Sequence, residues 1–197
     1  MKRIVIASNN PGKLRELRAM LEPRGIKAVA QGELGVGEAE EPHETFLENA
    51  LAKARFASRA TGLPALADDS GICVNAFGGE PGVHSAYFAG REGTREERDA
   101  RNNALLIERL RGAADRSALY YCVLVLVASP NDPAPIVADA RWLGTIAHGP
   151  RGHGGFGYDP YFVPAGGDVT AAEMAAEEKN RVSHRGHALA ALAARLE

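Results

Sequence analysis

Apolar and polar positions follow two periods along this chain. Residues 3–7, apolar from Ile4 on, read as a buried strand, and beyond a small polar loop Leu14, Leu17, Met20 and Leu21 recur at helical spacing. Residues 26–30 predict a second strand. Thr45-Phe46-Leu47-Glu48 has the residues of a capping box, with Phe46, Ala50, Ala54 and Ala57 as an apolar stripe behind it, so a long helix is expected to about Thr61, stopped by Gly62. Residues 64–67 and 72–74 read as short strands, which makes Asp68-Asp69-Ser70-Gly71 a turn. A second capping box, Thr94-Arg95-Glu96-Glu97, opens a helix through Leu106, Ile107 and Leu110 to Gly112. Residues 119–128 are nearly all apolar, as expected of a central strand buried on both faces, and 136–143 predict another strand past the Pro-rich turn at 130–135. Thr170-Ala171-Ala172-Glu173 predicts the cap of a helix carrying Glu177, Glu178 and Lys179. Ser183-His184-Arg185-Gly186 then opens a last amphipathic helix through Leu189, Leu192 and Leu196.

Composition narrows the class. At 197 residues and 45% hydrophobic the chain is long enough for one sizeable core or for two lobes sharing a sheet, and one domain over 1–197 is the expectation. Lys plus Arg number 23 against 25 Asp plus Glu, a formal charge of −2, so no global basic field points to a nucleic-acid partner. The apolar run after Met1-Lys2-Arg3 is too short for a secretory signal, and no later run reaches membrane-spanning length; a cytoplasmic protein without a membrane partner is expected. Cys73 and Cys122 lack CxxC spacing and fall in strand-like runs, which reads as two buried small hydrophobes.

Four stretches carry candidate chemistry. Asp68 and Asp69 are adjacent carboxylates that resist ionising together, a conflict that a hard divalent cation removes; the plain alternative is a solvated Asp-Asp turn. In Ser8-Asn9-Asn10-Pro11-Gly12-Lys13, Asn10 suits an N-cap and Pro11 the first helical position, so free N–H groups and Lys13 would favour a phosphate. It is not a Walker loop, because Ala7 stands where the first Gly is needed and Leu14 follows the Lys. Asn49 and Lys53 share a face of the helix from Thr45, and Lys53 becomes a second phosphate contact if that face meets the acidic pair. Glu38, Glu40 and Glu41 form an acidic cluster just before that helix. Residues 149–157 hold five glycines around Phe156, an aromatic ring on a bare backbone that suits a nucleobase or else folds inward. His184 and His187 have no third nitrogen or sulfur ligand near them in sequence, which argues against zinc, and Ser70 lacks the Gly-x-Ser-x-Gly elbow of a serine hydrolase.

Taken together, Ser8-x-Asn10-x-x-Lys13, Thr45-Phe46-x-Glu48-Asn49-Ala50-x-x-Lys53-Ala54, Ala67-Asp68-Asp69-Ser70-Gly71, Gly154-Gly155-Phe156-Gly157-Tyr158-Asp159-Pro160 and Glu178-Lys179 followed by Ser183-His184-Arg185-Gly186 resemble the inosine/xanthosine triphosphate pyrophosphatase family nearly end to end. Each motif alone is weak; five in this order are specific. The resemblance implies an α/β fold, an elongated mixed β-sheet with flanking helices and two lobes with a nucleotide-binding cleft between them, in a homodimer. It implies hydrolysis of non-canonical purine nucleoside triphosphates to the monophosphate and pyrophosphate with Mg2+. Ser8, Asn9, Asn10, Pro11, Gly12 and Lys13 would cradle the triphosphate with Lys53 and Ser70 near it. Asp69 would bind the metal and help activate water, joined by Glu40 or a neighbouring glutamate. Phe156 would stack on the purine, with Gly157, Tyr158, Asp159, Lys179, His184 and Arg185 around it. One departure is His84-Ser85-Ala86-Tyr87, where the family commonly has Tyr-Ser-Ala-Arg; Arg91 is a candidate substitute. The competing classes are a Maf-type pyrophosphatase of other base specificity and a non-catalytic nucleotide sensor.

Overall fold

A computed structural model describes residues 3–195 of the chain, so Met1, Lys2 and the expected helical position Leu196 lie outside the described residues. The first expected unit forms as β1 (Arg3–Ile6), a loop and α1 (Pro11–Leu21), followed by β2 (Lys27–Ala30). α2 (Phe46–Thr61) ends at Gly62, whose left-handed φ of 68° closes the helix as a glycine can. β3 (Ala65–Val74), α3 (Arg95–Arg109), β4 (Ser117–Val127), β5 (Ile136–Ile146), β6 (Phe162–Pro164), α4 (Ala176–Val182) and α5 (His184–Ala193) complete the order. The sheet runs β2-β1-β3-β4-β5-β6; β1 is parallel to β2 and β3, while β5 and β6 are antiparallel, so the sheet is mixed.

By contacts the chain divides into two compact units. One holds the chain through Asp69, then Cys122–Ala140 and the chain from Arg185; the other holds Ser70–Tyr121 and Arg141–His184. The first has a core of Ile4, Ile6, Leu66, Leu124 and Leu126 under Leu17 and Leu21 of α1 and Leu189 and Leu192 of α5. Leu14 and Met20 pack against it half-buried, as the helical spacing predicted. The second packs Ile72, Leu106, Leu110, Trp142, Tyr158 and Phe162 together. β4 is buried at every position from Cys122 to Val127, whereas β5 alternates buried Trp142, Gly144 and Ile146 with exposed neighbours, the mark of a sheet face open to water.

Three expectations need correcting. No turn separates residues 67 and 72: β3 runs unbroken for 10 residues through the acidic pair, paired with β1 only at Ala65 and Leu66 and with β4 on its other side, and this pairing outweighs the turn preference of Ser70-Gly71. Thr170-Ala171-Ala172-Glu173 closes a turn, with Thr170 N–H donating to the Glu173 carboxylate at 2.6 Å, and α4 starts only at Ala176 with no side-chain cap. Cys122 is fully buried but Cys73 only partly. Of the two predicted capping boxes, that at Thr94 is reciprocal; at Thr45 the hydroxyl accepts from Glu48 N–H and donates to the Glu48 carboxylate instead.

Candidate active site

Successive side chains of a strand leave on opposite faces, and the acidic pair of β3 uses that alternation to gather separate partners. Asp68, 1% exposed, lies 2.6 Å from Lys13 Nζ of α1 and 2.7 Å from Arg185 Nε at the start of α5; the Cys122 thiol of β4 donates to it at 3.2 Å. Arg185 also reaches Glu16, one turn beyond Lys13 on α1. Burial pushes the Asp68 carboxyl upward, but Arg185 and Lys13 overcome it and hold the group well below the ordinary range. Asp69, 5% exposed, places Oδ1 at 2.7 Å from Lys53 Nζ of α2, and the same ammonium meets Glu41 at 2.5 Å. Here burial prevails: Asp69 is lifted above the usual value although Lys53 and Lys13 pull it down. Lys53 is itself buried, which disfavours its charge, yet Asp69 and Glu41 keep it charged. Each lysine that the sequence assigned to phosphate thus stands on its own aspartate.

This cluster fits a divalent cation. Asp69 Oδ2 is buried and has no hydrogen-bond partner among the described residues, an acceptor that burial makes costly. Four carboxylates, Glu16, Glu41, Asp68 and Asp69, face three cations, Lys13, Lys53 and Arg185, leaving one negative charge in excess. All three loop glutamates are solvent-exposed as residues, but Glu41 is the one that reaches Lys53, and that ammonium lowers its pKa against the partial desolvation of the carboxylate. Among the described residues no three His, Cys, Asp or Glu side chains form a ready-made metal cage.

The loop before α1 departs from its expected state. Asn10 is the N-cap, but its Oδ1 accepts from Gly12 N–H at 2.9 Å and Lys13 N–H at 3.2 Å, and Ser8 Oγ takes Asn10 N–H at 3.1 Å. Capping thus occupies N–H groups expected to be free, because Asn10 satisfies them locally. Lys13 Nζ also donates to the Asp68 carbonyl at 3.4 Å, while the Asn9 side chain lies against Gly32.

The Gly-rich segment lies in the second unit. Phe156 N–H donates to Asp159 Oδ2 at 2.8 Å, Lys179 Nζ of α4 meets the same oxygen at 2.6 Å, and the Tyr120 hydroxyl approaches Asp159 Oδ1 at 3.2 Å. A Cβ at Gly155 would strike the Asp159 carboxylate, so glycine is required there. The half-buried Phe156 ring has Lys179 Nζ 5.0 Å and the Arg95 guanidinium 5.3 Å from its centroid, so it is not a core residue but a ring set among cations. Tyr158 is buried with its hydroxyl on the Ser85 carbonyl at 2.7 Å, and burial raises its pKa far above the usual value. His184 stacks on Tyr120 with centroids 4.6 Å apart.

The sequence profile of the Ham1 family matches residues 4–195. The chain belongs to the Ham1 family. Among its relatives, a dITP/XTP pyrophosphatase of Burkholderia pseudomallei is 64% identical over 195 residues, covering 98% of this chain and 93% of that protein. One from Ralstonia nicotianae is 59% identical, covering 100% and 97%. The structure of a HAM1 protein from Coxiella burnetii matches with a TM-score of 0.88 at 46% identity, over 100% of this chain and 98% of that one.

In this Ham1-family chain Arg185, expected at the purine edge, is committed to Asp68 and Glu16, since a guanidinium 1% exposed must be neutralised where it lies. Tyr87, which stands where the family commonly has Arg, receives the Arg91 guanidinium 4.3 Å and the Arg98 guanidinium 5.5 Å from its ring centroid, so cations gather at this position on an aromatic face. Sequence reasoning missed Glu16, Cys122, Tyr120, Arg95, Asp99 and Asn103. One of these carried a signal: Glu16 is three residues from Lys13 on a helix.

Proposed function

We propose that the chain hydrolyses deaminated purine nucleoside triphosphates, inosine, deoxyinosine and xanthosine triphosphates, to the nucleoside monophosphate and pyrophosphate, and so clears them from the nucleotide pool. The observation that carries the proposal is Asp69: a buried carboxylate with one oxygen on a lysine and the other open, in a chain whose relatives at 57–64% identity are named dITP/XTP pyrophosphatases. Lys13 and Lys53 supply fixed positive charge to the phosphates, with Ser8, Asn9, Asn10 and Ser70 as neutral contacts. Asp69 orients the attacking water, and its raised pKa brings it nearer the working range of a general base. Magnesium, when bound, would neutralise charge developing on the phosphate oxygens. Asp69 would hold it together with Glu40 or Glu41; both are exposed, and Glu41 already stands on Lys53. Arg185 fixes Asp68, which in turn places Lys13.

Phe156 provides the face for the purine, and Lys179 the edge. An ammonium only donates, so it suits the 6-carbonyl of inosine and xanthosine and meets another donor in the amino group of adenosine. A site built on such a bond rejects the wrong partner by up to about 10⁴-fold. Guanosine keeps the oxygen and differs from inosine by its 2-amino group, so its exclusion is weaker. The expected order of kcat/KM is inosine and xanthosine triphosphates, then guanosine, then adenosine triphosphate. No helix among the described residues is long and apolar enough to cross a membrane, and a cytoplasmic place of action belongs to the proposal. The homodimer implied by the resemblance belongs to the same proposal and is tested by sedimentation. Anion-exchange analysis of products from inosine triphosphate with magnesium tests the reaction: monophosphate with pyrophosphate supports it, diphosphate with phosphate overturns the bond assignment, and a parent enzyme preferring adenosine or pyrimidine triphosphates overturns the specificity.

A further inference from the structure

One stripe of α3 reaches the Gly-rich segment at two backbone atoms. Arg95, Asp99 and Asn103 are four residues apart and so lie one above another on the same helix face. Asp99 Oδ2 accepts from Gly157 N–H at 3.0 Å, while Asn103 Nδ2 donates to the Gly157 carbonyl at 2.9 Å and to the Asp99 carbonyl at 2.9 Å. Gly157, with φ of 64°, is therefore bracketed on both of its hydrogen-bonding groups by side chains from one helix. Immediately before it, Phe156 has its own N–H held by Asp159 at 2.8 Å. With the Phe156 carbonyl accepting from Asp159 N–H at 3.3 Å, four hydrogen bonds over two residues fix the backbone from which the ring projects, in a segment whose glycines would otherwise leave it mobile. Arg95 adds a contact to the ring itself and lies 3.8 Å from the Asp99 carboxylate.

We propose that Asp99 and Asn103 are positioning residues that aim the Phe156 ring at the purine, so that base recognition depends on α3 as well as on the Gly-rich segment. The inference rests on Phe156 being the base platform. A ring anchored this way needs no rearrangement when the substrate arrives, and losing one side of the bracket lets Gly157 rotate. A displacement of about 1 Å at such a position costs about 10²-fold. The phosphates are handled by other residues, so their binding is untouched.

The test measures KM and kcat for inosine triphosphate and the inhibition constant of inorganic tripolyphosphate, in the parent and in Asp99→Ala, Asp99→Asn, Asn103→Ala and Phe156→Ala. Asp99→Ala is expected to raise KM for the nucleotide by about 10- to 100-fold while the tripolyphosphate constant stays within about twofold. Asp99→Asn, which keeps an acceptor for Gly157 N–H, restores most of the loss. Asn103→Ala repeats the pattern from the other side of the bracket and carries the test should Asp99→Ala not fold. Equal losses toward both ligands, a parental KM in Asp99→Ala and Asn103→Ala, or no rescue by Asp99→Asn overturns the proposal while leaving Phe156 as the platform. A Phe156→Ala enzyme with an unchanged ratio of the two constants removes the platform itself, and this inference with it.

Discussion

Asp69→Asn separates what the carboxylate does for catalysis from what it does to the fold. In the parent, Oδ1 lies 2.7 Å from Lys53 Nζ and Oδ2 has no partner among the described residues, in a group 5% exposed. Burial dominates and raises the pKa against the pull of Lys53 and Lys13. A carboxyl raised on folding contributes stability that is fully present below its unfolded value of about 3.9 and is lost as pH rises through the folded value, so at pH 7 the ionised form is a net cost. Asparagine escapes that cost. What the amide removes is the desolvation of a buried charge; it still leaves one polar atom unpaired where Oδ2 stands, and the weakened bond to Lys53 offsets part of the gain, though Lys53 keeps Glu41 at 2.5 Å. The net gain is about 1 kcal/mol, or about 2–4 °C in Tm for a chain of this size. The variant is therefore expected to melt slightly above the parent at pH 7, with the gap closing toward pH 4, while turnover falls by about 10²–10⁴-fold. Magnesium at about 100 times its Kd adds about 2.7 kcal/mol to the parent, about 5–11 °C, and little to the variant. Calorimetric scans from pH 4 to 8 with and without magnesium chloride, beside a pyrophosphate-release assay, read both effects. Near-parental turnover in the variant, or an equal magnesium shift in both proteins, refutes the role given to Asp69.

Asp68→Ala removes the carboxylate 2.7 Å from the buried Arg185 guanidinium, and the expected loss is about 3–5 kcal/mol, about 6–20 °C by calorimetry. Because the Asp68 pKa is held down, its contribution is present above the unfolded value and lost only as pH falls through the folded one, so the stability gap to Asp68→Ala should persist unchanged from pH 8 to pH 5. Glu40→Gln and Glu41→Gln distinguish the second metal carboxylate: the one that serves raises the magnesium concentration needed for half-maximal activity by about tenfold or more, and equal small shifts in both would rule out the pair. Lys13→Ala is expected to weaken every nucleotide alike, since a phosphate contact carries no base information, whereas Phe156→Ala weakens nucleotides far more than tripolyphosphate; equal losses in the Phe156 variant would remove the ring as the base platform.

Residues whose surroundings are local were legible in the sequence, and those whose surroundings are assembled from afar were not. Asn10 and Pro11 announce the start of α1, Gly62 the end of α2 and the apolar run at 119–128 the central strand, because caps and periodicity act within a few residues. The acidic pair misled on shape: Asp-Asp-Ser-Gly favours a turn, and only the flanking strands and the cations from α1, α2 and α5 make a buried strand tolerable there. The same distance hid Arg185, 117 residues from Asp68 along the chain. Lys53 looked like a solvated helix residue or a phosphate contact; that it is buried on Asp69 and Glu41 follows from which helix face turns inward, and Asn49 in the same stripe, 2% exposed, is the trace of it. Neither Asp99 nor Asn103 stood out, since an Asp and an Asn on a polar helix are ordinary until Gly157 is seen between them.

The unbroken course of β3 makes its reading frame unforgiving. With no loop between residues 67 and 72, the strand has no slack in which to absorb an in-frame gain or loss of a single codon, and such a change upstream within it would turn each side chain to the other face. An insertion would carry Asp68 into the place of Asp69 and leave a residue without a carboxylate facing Lys13 and Arg185, and a deletion would carry Asp69 into the place of Asp68 and leave Ser70 facing Lys53. Single-codon indels should thus be far rarer among viable alleles in 65–74 than in the surface turn at 130–135, a pattern that deep insertion scanning of the gene would display directly.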